Sequence, residues 1–299
     1  DYYFFFQKHF LYAFVSFSLM LIISLIDTNL LNKTLFPIFL IFFIAMILVP
    51  FFGVEVKGAK RWLNFYIFRF QPIEFIKPFF VLIIAQIVSS YWIKNLSFSY
   101  FLSFLLLSVL VLLLILQPDL GQSVLLVCTW ISIIFISGFN IYLLFLLLTF
   151  ITLILSSLIY FIPERFDYII SRVVAFFDSE NSGNFQASRA TEAIREGSLK
   201  GQGVGEGILK ESVPEAHTDY VIAVISEEFG SIISILIISI FLFIAFRVIK
   251  KIINLKNNFN KLALSGLISL LIFQTFIHVG VNANLLPTTG MTLPFLSYG

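Results

Sequence analysis

The chain has 299 residues, of which 59% are hydrophobic and only 12% are charged, and its mean hydropathy is +1.00. Soluble domains carry about a quarter charged residues, so the composition excludes a soluble globular protein and indicates a polytopic membrane protein. A net charge of +2 is too small to indicate a nucleic-acid partner. Cys128 is the single cysteine, which excludes a disulfide framework and a cysteine metal site.

Eight apolar stretches are long enough to be membrane spans, since a spanning helix needs roughly 20 mostly apolar residues. They are residues 10–26, 35–52, 72–92, 98–116, 122–138, 141–162, 219–246 and 262–281. Only three residues separate the fifth stretch from the sixth, so these two are predicted to be antiparallel neighbours. Backbone groups in lipid must be satisfied within each segment, and the stretches are too long for barrel strands. The predicted fold class is therefore all-α, a polytopic α-helical bundle.

The loop charges predict the orientation of the bundle. Between the seventh and eighth spans there are five cations and no acid, which indicates a cytoplasmic segment. Counting spans from there puts the large loop at residues 163–218 on the outside, together with residues 53–71, 117–121 and 282–299. The polar, motif-like segments then converge on one face, which predicts an outward-facing site. Four cations at Lys57, Lys60, Arg61 and Arg69 oppose this orientation; a topology error would explain them, but we favour anion binding outside.

The first outside loop interleaves cations with aromatic residues, around Arg61, Trp62 and Arg69. Aromatic residues and snorkelling cations at the membrane interface often serve only as anchors. Several arginines beside a lipid headgroup also suit phosphate binding, because a guanidinium binds phosphate through two parallel hydrogen bonds. Glu74 and Lys77 follow at i,i+3 near the start of the third span, where they can form an ion pair.

Asp119 lies in the short sequence QPDLG, which interrupts two long apolar stretches. A tight turn with an aspartate that caps the next helix is sufficient to explain it. Asp119 is nevertheless predicted on the same side as Glu74 and Lys77. We therefore expect Lys77 to contact either Glu74 or Asp119.

The stretch at residues 214–230, PEAHTDYVIAVISEEFG, gathers ionisable groups at and inside a predicted span. Such groups are costly at bilayer depth and are candidates for function. Glu215, His217 and Asp219 lie at the start of this stretch. His217 and Asp219 could offer two metal ligands, but two ligands at that spacing are weak evidence for a metal site, and Asp219 could simply cap a helix. A partly desolvated carboxylate at the start of a span should have a raised pKa and can act as a general base. Of Glu227 and Glu228, one is expected to line the cleft and the other to pair internally.

Residues 201–207 read GQGVGEG and superficially look like a phosphate-binding glycine loop. No βαβ unit surrounds them and no Lys-Ser or Lys-Thr follows, as a Walker loop requires. Flexibility or tight chain reversals are the favoured explanation for the glycines.

Five segments together resemble the SEDS (shape, elongation, division and sporulation) peptidoglycan polymerases, and the division branch more than the elongation branch. They are GAKRW, RFQPIEFIK, QPDLG, PEAHTDYVIAVISEEFG and HVGVNANLLPTTGMTLPFLSYG. The resemblance implies ten helices with both ends cytoplasmic, in one integral membrane domain over residues 1–299. Since about eight spans are predicted, the family's first and last helices are expected to be missing.

The resemblance also implies residue roles. The family's catalytic aspartate falls on Asp219, and Lys60 departs from the Ser or Gln that is usual before the Arg-Trp pair. The candidate substrate-binding residues are Arg61, Trp62, Arg69, Glu74, Lys77 and Asp119, with Glu215 and His217 from the motif around Asp219.

The implied activity is polymerisation of lipid II at the outer face of the bacterial cytoplasmic membrane. Asp219 would deprotonate the acceptor 4-hydroxyl, which attacks the donor anomeric carbon, while cations hold the diphosphate leaving group. The implied partners are lipid II, membrane lipid, a class B penicillin-binding protein and other divisome proteins. The candidate cofactor is a divalent cation, Mg²⁺ or Mn²⁺, on the diphosphate. A lipid II flippase and a non-catalytic divisome scaffold are the alternatives.

Overall fold

The structure is a computed structural model, and its described part contains ten helices and a small sheet. The residues outside the description are 1, 57–58, 66–67, 90–95, 143–144, 147–148, 150–151, 154–155, 158–169, 173, 175, 178–184, 214–215 and 298–299. The predicted sixth span, at residues 141–162, and its pairing with the fifth lie largely outside the described residues.

Eight of the ten described helices lie in the apolar stretches, two lie in the predicted large loop, and three strands lie between the second and third helices. The helices are α1 (Tyr2–Leu25), α2 (Thr28–Phe52), α3 (Pro72–Val88), α4 (Leu96–Leu116), α5 (Leu120–Ile136), α6 (Phe185–Gly197), α7 (Leu209–Ser212), α8 (Val221–Phe229), α9 (Ser231–Ile253) and α10 (Asn258–Asn282). The strands are β1 (Val54–Val56), β2 (Ala59–Phe65) and β3 (Phe68–Phe70), which form an antiparallel sheet in the order β1-β2-β3. The predicted helical class is confirmed, with this sheet as the addition.

Four of the described helices are long and apolar enough to cross a membrane: Leu30–Phe52 within α2, then α4, α9 and α10. Phe10–Leu25 within α1 and Leu120–Ile136 are shorter apolar helices. The chain is therefore a multi-pass membrane protein.

The predicted seventh span, residues 219–246, is wrong as one continuous helix. Gly230, with φ of 87°, separates the nine-residue α8 from α9, which continues to Ile253. A Cβ at Gly230 would lie 2.2 Å from the Leu199 carbonyl oxygen, so only glycine allows this close approach. A hydropathy window of span length does not detect such a break, because the apolar residues on both sides outweigh the polar residues 226–228. Asp219 consequently lies in a turn before a short helix and not at the start of a span.

α3 is the central helix of the bundle, since 12 of its 17 residues are buried. It packs against α2, α4, α5 and α10, which supply the other side chains of the main hydrophobic core. α10 approaches closely because Gly266 has no side chain: a Cβ there would lie 2.6 Å from Val81 Cγ1 and 2.7 Å from Ile133 Cδ1. The core thus fixes the ends of α3, α5 and α10 relative to one another.

After α10 the chain turns back across the end of the bundle. We call residues 283–297 the C-terminal segment. Asn284, with φ of 53°, begins the turn, and the Leu285 N–H donates to the Gly280 carbonyl oxygen at 2.7 Å. Met291 and Leu293 are buried, so the segment is packed onto the bundle and not merely attached to it.

Within the predicted large loop, α6 packs against α8 and the glycine-rich residues 201–207 pass over the end of α8. Gly201 has φ of 80°, and a Cβ there would lie 2.3 Å from the Glu228 carbonyl oxygen. The Gln202 N–H donates to the Glu227 carbonyl oxygen at 2.8 Å. Tight reversal and close backbone approach therefore account for these glycines, as predicted.

Candidate functional site

A charged cluster lies where the sheet, the α4–α5 link and the start of α3 meet; it consists of Arg61, Glu74, Lys77 and Asp119. Arg61 reaches it from β2, and its Nε donates to the Gln117 carbonyl oxygen at 3.2 Å while Nη2 donates to the Pro118 carbonyl oxygen. The same Nε lies 3.7 Å from Asp119 Oδ2, an ion pair in which the side chains are 15% and 4% exposed. Arg61 therefore ties the sheet to the α4–α5 link.

Asp119 caps α5, which confirms the predicted structural explanation. Its Oδ1 accepts from the Gln122 backbone N–H at 3.4 Å, and its Oδ2 accepts from Gln71 Nε2 at 3.3 Å. Burial raises the pKa of the Asp119 carboxyl, against the opposing effects of the Arg61 guanidinium and the Gln122 N–H.

Lys77 pairs with Glu74 at 2.7 Å between Nζ and Oε2, so the first of the two predicted contacts is present. Lys77 Nζ also donates to Gln274 Oε1 of α10 at 3.3 Å. Glu74 Oε1 accepts from Gln122 Nε2 at 2.7 Å. Asp119 instead pairs with Arg61. The network thus joins α3, α5 and α10 at one end of the bundle.

The C-terminal segment continues this network through its backbone carbonyl groups. Gln274 Nε2 donates to the Thr292 carbonyl oxygen at 3.0 Å, and His278 Nδ1 lies 2.7 Å from the Met291 carbonyl oxygen. Because a carbonyl oxygen can only accept, Nδ1 of His278 carries the proton. The segment is therefore anchored to the same face of α10 that contacts Lys77.

Asp219 lies on the other side of the C-terminal segment, in the turn before α8. Its carbonyl oxygen accepts from Asn282 Nδ2 at 3.0 Å, and Asn282 Oδ1 accepts from the Ala223 N–H at 3.2 Å. Ser297 Oγ donates to the adjacent Thr218 carbonyl oxygen at 2.6 Å. The side chain of Asp219 is partly exposed, in contrast to the buried Asp119.

Gly290 connects Asp219 to the charged cluster. A Cβ at Gly290 would lie 3.5 Å from Asp219 Oδ2, so the carboxylate faces this part of the segment. One residue away on each side, the segment packs against the start of α5: a Cβ at Gly121 would lie 2.8 Å from Thr289 Cβ and 3.1 Å from Met291 Cγ. Residues 289–291 therefore separate Asp219 from the α5 terminus that Asp119 caps. The predicted convergence of the polar segments on one end is confirmed.

The remaining predicted residues are less closely joined. Trp62 is half-buried on β2, whereas Arg69 is exposed on β3, where it is the backbone partner of Asn64. His217 is exposed in the turn before Asp219. Glu215 lies outside the described residues.

Several site residues were not predicted. Gln274, His278 and Asn282 are spaced by four in the apolar α10, so they share one helix face, and this spacing is a signal that the sequence does contain. Arg172 Nη1 donates to the Thr288 carbonyl oxygen at 2.8 Å, a contact between residues 116 positions apart that leaves no local signal.

Glu227 bonds internally, as was expected of one acid of the Glu227–Glu228 pair. It is 1% exposed, and its Oε1 accepts from the Ile208 N–H at 2.8 Å while Oε2 accepts from the Leu209 N–H at 3.1 Å. It therefore fastens the large loop to α8, and Glu228 is partly exposed beside it.

The comparisons with known proteins decide the family. The model of the FtsW, RodA and SpoVE family, described as cell cycle protein, matches residues 1–299. The chain belongs to the FtsW/RodA/SpoVE family.

Members of the FtsW/RodA/SpoVE family with assigned names are similar over most of the chain. A protein of Caulobacter vibrioides named "Probable peptidoglycan glycosyltransferase FtsW" is 37% identical over 96% of this chain and 73% of its own length. A protein of Nitrosomonas europaea with the same name is 35% identical over 87% of this chain and 68% of its own length.

The fold is also that of a solved structure. A chain from a study of structural coordination of polymerization and crosslinking by a peptidoglycan synthase complex superimposes with a TM-score of 0.74. It is 23% identical, and the match covers 99% of this chain and 82% of that one. At this identity the likeness establishes the fold.

Proposed function

We propose that the chain is a peptidoglycan glycosyltransferase that polymerises lipid II into β-1,4 glycan strands, with Asp219 as the general base. The observation that carries the proposal is the position of the Asp219 carboxylate. This carboxylate is partly exposed and faces Gly290 of the C-terminal segment. The residues on either side of Gly290 pack on the start of α5, which Asp119 of the charged cluster caps. The names of the relatives at 35% and 37% identity support the reaction class.

The chemistry requires one base and one stabilised leaving group. Asp219 accepts the proton of the acceptor sugar's 4-hydroxyl as that oxygen attacks the anomeric carbon of the donor. A positioned base of this kind contributes typically about 10²–10⁴-fold to the rate. An α-linked diphosphate that becomes a β-linked glycan undergoes a single inversion, so no second carboxylate is needed as a nucleophile.

The diphosphate leaving group needs positive charge. Arg69 is exposed and the Arg61 side chain is 15% exposed, so these two are the cations that we propose contact the diphosphate. Lys77 is enclosed and bonded to Glu74 and Gln274, and we propose that it contributes through its electric field. Trp62 and His217 are proposed to contact the sugar or lipid portion of the substrate.

We propose that a divalent cation on the diphosphate would take substrate oxygens among its ligands. In the part of the chain that the structure describes, no group of three His, Cys, Asp or Glu side chains could hold a metal ion. Mg²⁺ commonly binds through one or two carboxylates together with substrate phosphates. Asp219 is the carboxylate that would supply such a ligand, and the cation would neutralise charge on the diphosphate.

The proposed location is the bacterial cytoplasmic membrane, with the site at the outer face. Five cations and no acid lie at the end of α9, in the link after it and at the start of α10, which indicates a cytoplasmic segment. α10 has 25 residues and is about 37 Å long, so its two ends lie on opposite sides of a bilayer. Asn282, which bonds to Asp219, is at the end opposite to those cations. The partners that we propose are a class B penicillin-binding protein and other divisome proteins, which accords with the described synthase complex.

The test is incubation of the purified protein with lipid II, alone and with its penicillin-binding partner, followed by gel separation of glycan polymer. We expect polymer from the unaltered chain and none from Asp219→Asn or Asp219→Ala, with folding retained. Glu206→Gln, which neutralises an exposed acid of the same loop, is the matched control and should polymerise normally.

Three outcomes contradict the proposal. Polymer formation by both Asp219 variants would remove the base assignment. Movement of a labelled lipid II across vesicles by the unaltered chain, without polymer in either arm, would select a flippase. Absence of both activities, in a folded protein that still binds its partners, would select a scaffold.

A further inference from the structure

The last turns of α9 carry a positively charged surface far from Asp219. Arg247, Lys250 and Lys251 are exposed, and with Val248 and Asn254 they line an open, solvent-facing cavity of about 450 Å³. α9 is about 34 Å long, so the cavity lies one membrane thickness from Gly230, where α9 begins next to α8.

The polar lining residues share one face of α9. Positions 247, 250, 251 and 254 follow the i, i+3, i+4, i+7 pattern, which gathers side chains on a single helix face. Phe241, Ala245 and Ile252 occupy the face that is buried against the bundle. Cations that serve only to orient a span act through their number and do not need to share one helix face.

A third face of the same turns is apolar and exposed. Phe246 is 63% exposed, Ile249 is 51% exposed and Ile253 is 76% exposed. These side chains belong to the end of an apolar span with a mean hydropathy of 2.9. Cations and exposed apolar side chains therefore stand side by side at the level where a span leaves the bilayer.

The positive charge of the cavity is not neutralised by the described protein. Among the described residues, no carboxylate forms an ion pair with Arg247, Lys250 or Lys251. The helix dipole favours Lys250 and Lys251 in the last turn of α9, but Arg247 lies a turn earlier. A bound anion would supply the missing negative charge.

We propose that this cavity binds the headgroup of an anionic phospholipid from the adjacent leaflet. The phosphate lies among the three cations, and the acyl chains lie along Phe246 and Ile249. A soluble anion would satisfy the cations but would leave the neighbouring apolar face without a role. The inference does not depend on the proposed glycosyltransferase activity, and its test uses no activity measurement.

The test measures lipid binding to the purified protein by native mass spectrometry from detergent, with phosphatidylglycerol and phosphatidylcholine as probes. We expect phosphatidylglycerol to bind more tightly. Each cation near an anionic surface contributes roughly fivefold in affinity, so replacing Arg247, Lys250 and Lys251 by Gln should weaken phosphatidylglycerol binding on the order of 100-fold. Phosphatidylcholine binding should not change.

The matched control removes three exposed cations elsewhere, as Arg189→Gln, Arg195→Gln and Lys200→Gln combined. It should keep phosphatidylglycerol binding, and so should a triple variant with Arg247→Lys, Lys250→Arg and Lys251→Arg. The proposal would be overturned if the variant with Arg247, Lys250 and Lys251 replaced by Gln bound phosphatidylglycerol as tightly as the unaltered chain. It would also be overturned if the control or the charge-preserving variant lost as much phosphatidylglycerol binding as that variant. Displacement of the lipid by an equal concentration of glycerol phosphate would assign the cavity to a soluble anion instead.

Discussion

The Glu74–Lys77 pair is unequal in exposure, and we expect its two single substitutions to differ in cost. The Lys77 side chain is 3% exposed and that of Glu74 is 37% exposed. Glu74→Gln leaves an enclosed ammonium with neutral acceptors only. Lys77→Met leaves a carboxylate that still reaches water and still accepts from Gln122 Nε2 at 2.7 Å.

The structure sets the expected magnitudes. Removing one partner of a buried pair costs about 3–5 kcal/mol. Lys77 retains Gln274 Oε1 at 3.3 Å, so Glu74→Gln should cost about 3 kcal/mol of unfolding free energy. Lys77→Met should cost about 1 kcal/mol, because its partner is solvated. The double variant contains no unpaired charge, so we expect it to be more stable than Glu74→Gln alone.

The measurement is thermal unfolding in detergent, where about 1 kcal/mol shifts Tm by roughly 2 °C for a chain of this size. The Arg189–Glu192 pair is the matched control, since it has the same spacing and the same kind of contact at 2.8 Å but side chains that are 49% and 58% exposed. Glu192→Gln should leave Tm nearly unchanged. A double variant less stable than Glu74→Gln would refute the reasoning, as would a larger cost for Lys77→Met.

Three further predictions concern the surroundings of Asp219. Gly290→Ala introduces a side chain at φ of 67° and 3.5 Å from Asp219 Oδ2, and should lower polymer yield roughly 10- to 100-fold with the fold retained. Asn282→Leu removes the donor to the Asp219 carbonyl oxygen, and should lower the polymerisation rate with a loss of about 2 kcal/mol in unfolding free energy. Glu227→Gln weakens two charge-assisted hydrogen bonds to the large loop, and should speed limited proteolysis of residues 198–208.

Each of these three predictions has a control variant or an outcome that would contradict it. Gly138 has φ of 87° and a Cβ there would meet nothing within 4 Å, so Gly138→Ala carries the backbone cost alone and should retain polymerisation. Equal losses at Gly138 and Gly290 would contradict a local effect on Asp219. Glu206→Gln should not change the proteolysis rate, because Glu206 is exposed. An unchanged polymerisation rate in Asn282→Leu would show that the turn holds Asp219 without this bond.

Hydropathy predicted those parts of the fold that depend only on the free energy of transfer of each residue from water to lipid. The predicted spans at residues 98–116 and 262–281 agree closely with α4 and α10, because each is one uninterrupted apolar helix. The contact between Glu74 and Lys77 was also predictable, since an i,i+3 pair on one helix depends only on helix geometry.

Features that depend on contacts distant in sequence were not predictable in the same way. The break at Gly230 depends on the Leu199 carbonyl oxygen, which a local reading does not include. Asp119 was considered as a partner of Lys77. In the structure Asp119 pairs with Arg61 instead, because β2 brings Arg61 to the α4–α5 link. The sheet itself has only short strands in a region dominated by apolar helices.

The C-terminal segment explains why Asp219 and the charged cluster should act as one unit. Three side chains bond to its carbonyl oxygens at residues 288, 291 and 292: Arg172 from the large loop, and His278 and Gln274 from one face of α10. The acceptors are backbone groups of the C-terminal segment. The position of the segment therefore depends more on the three donor side chains than on the segment's own threonine side chains. Displacing any one donor should shift residues 289–291, and with them the surroundings of Asp219. Because Gln274 also bonds to Lys77, we expect a change in the charge of the cluster to reach the proposed base through the same residue.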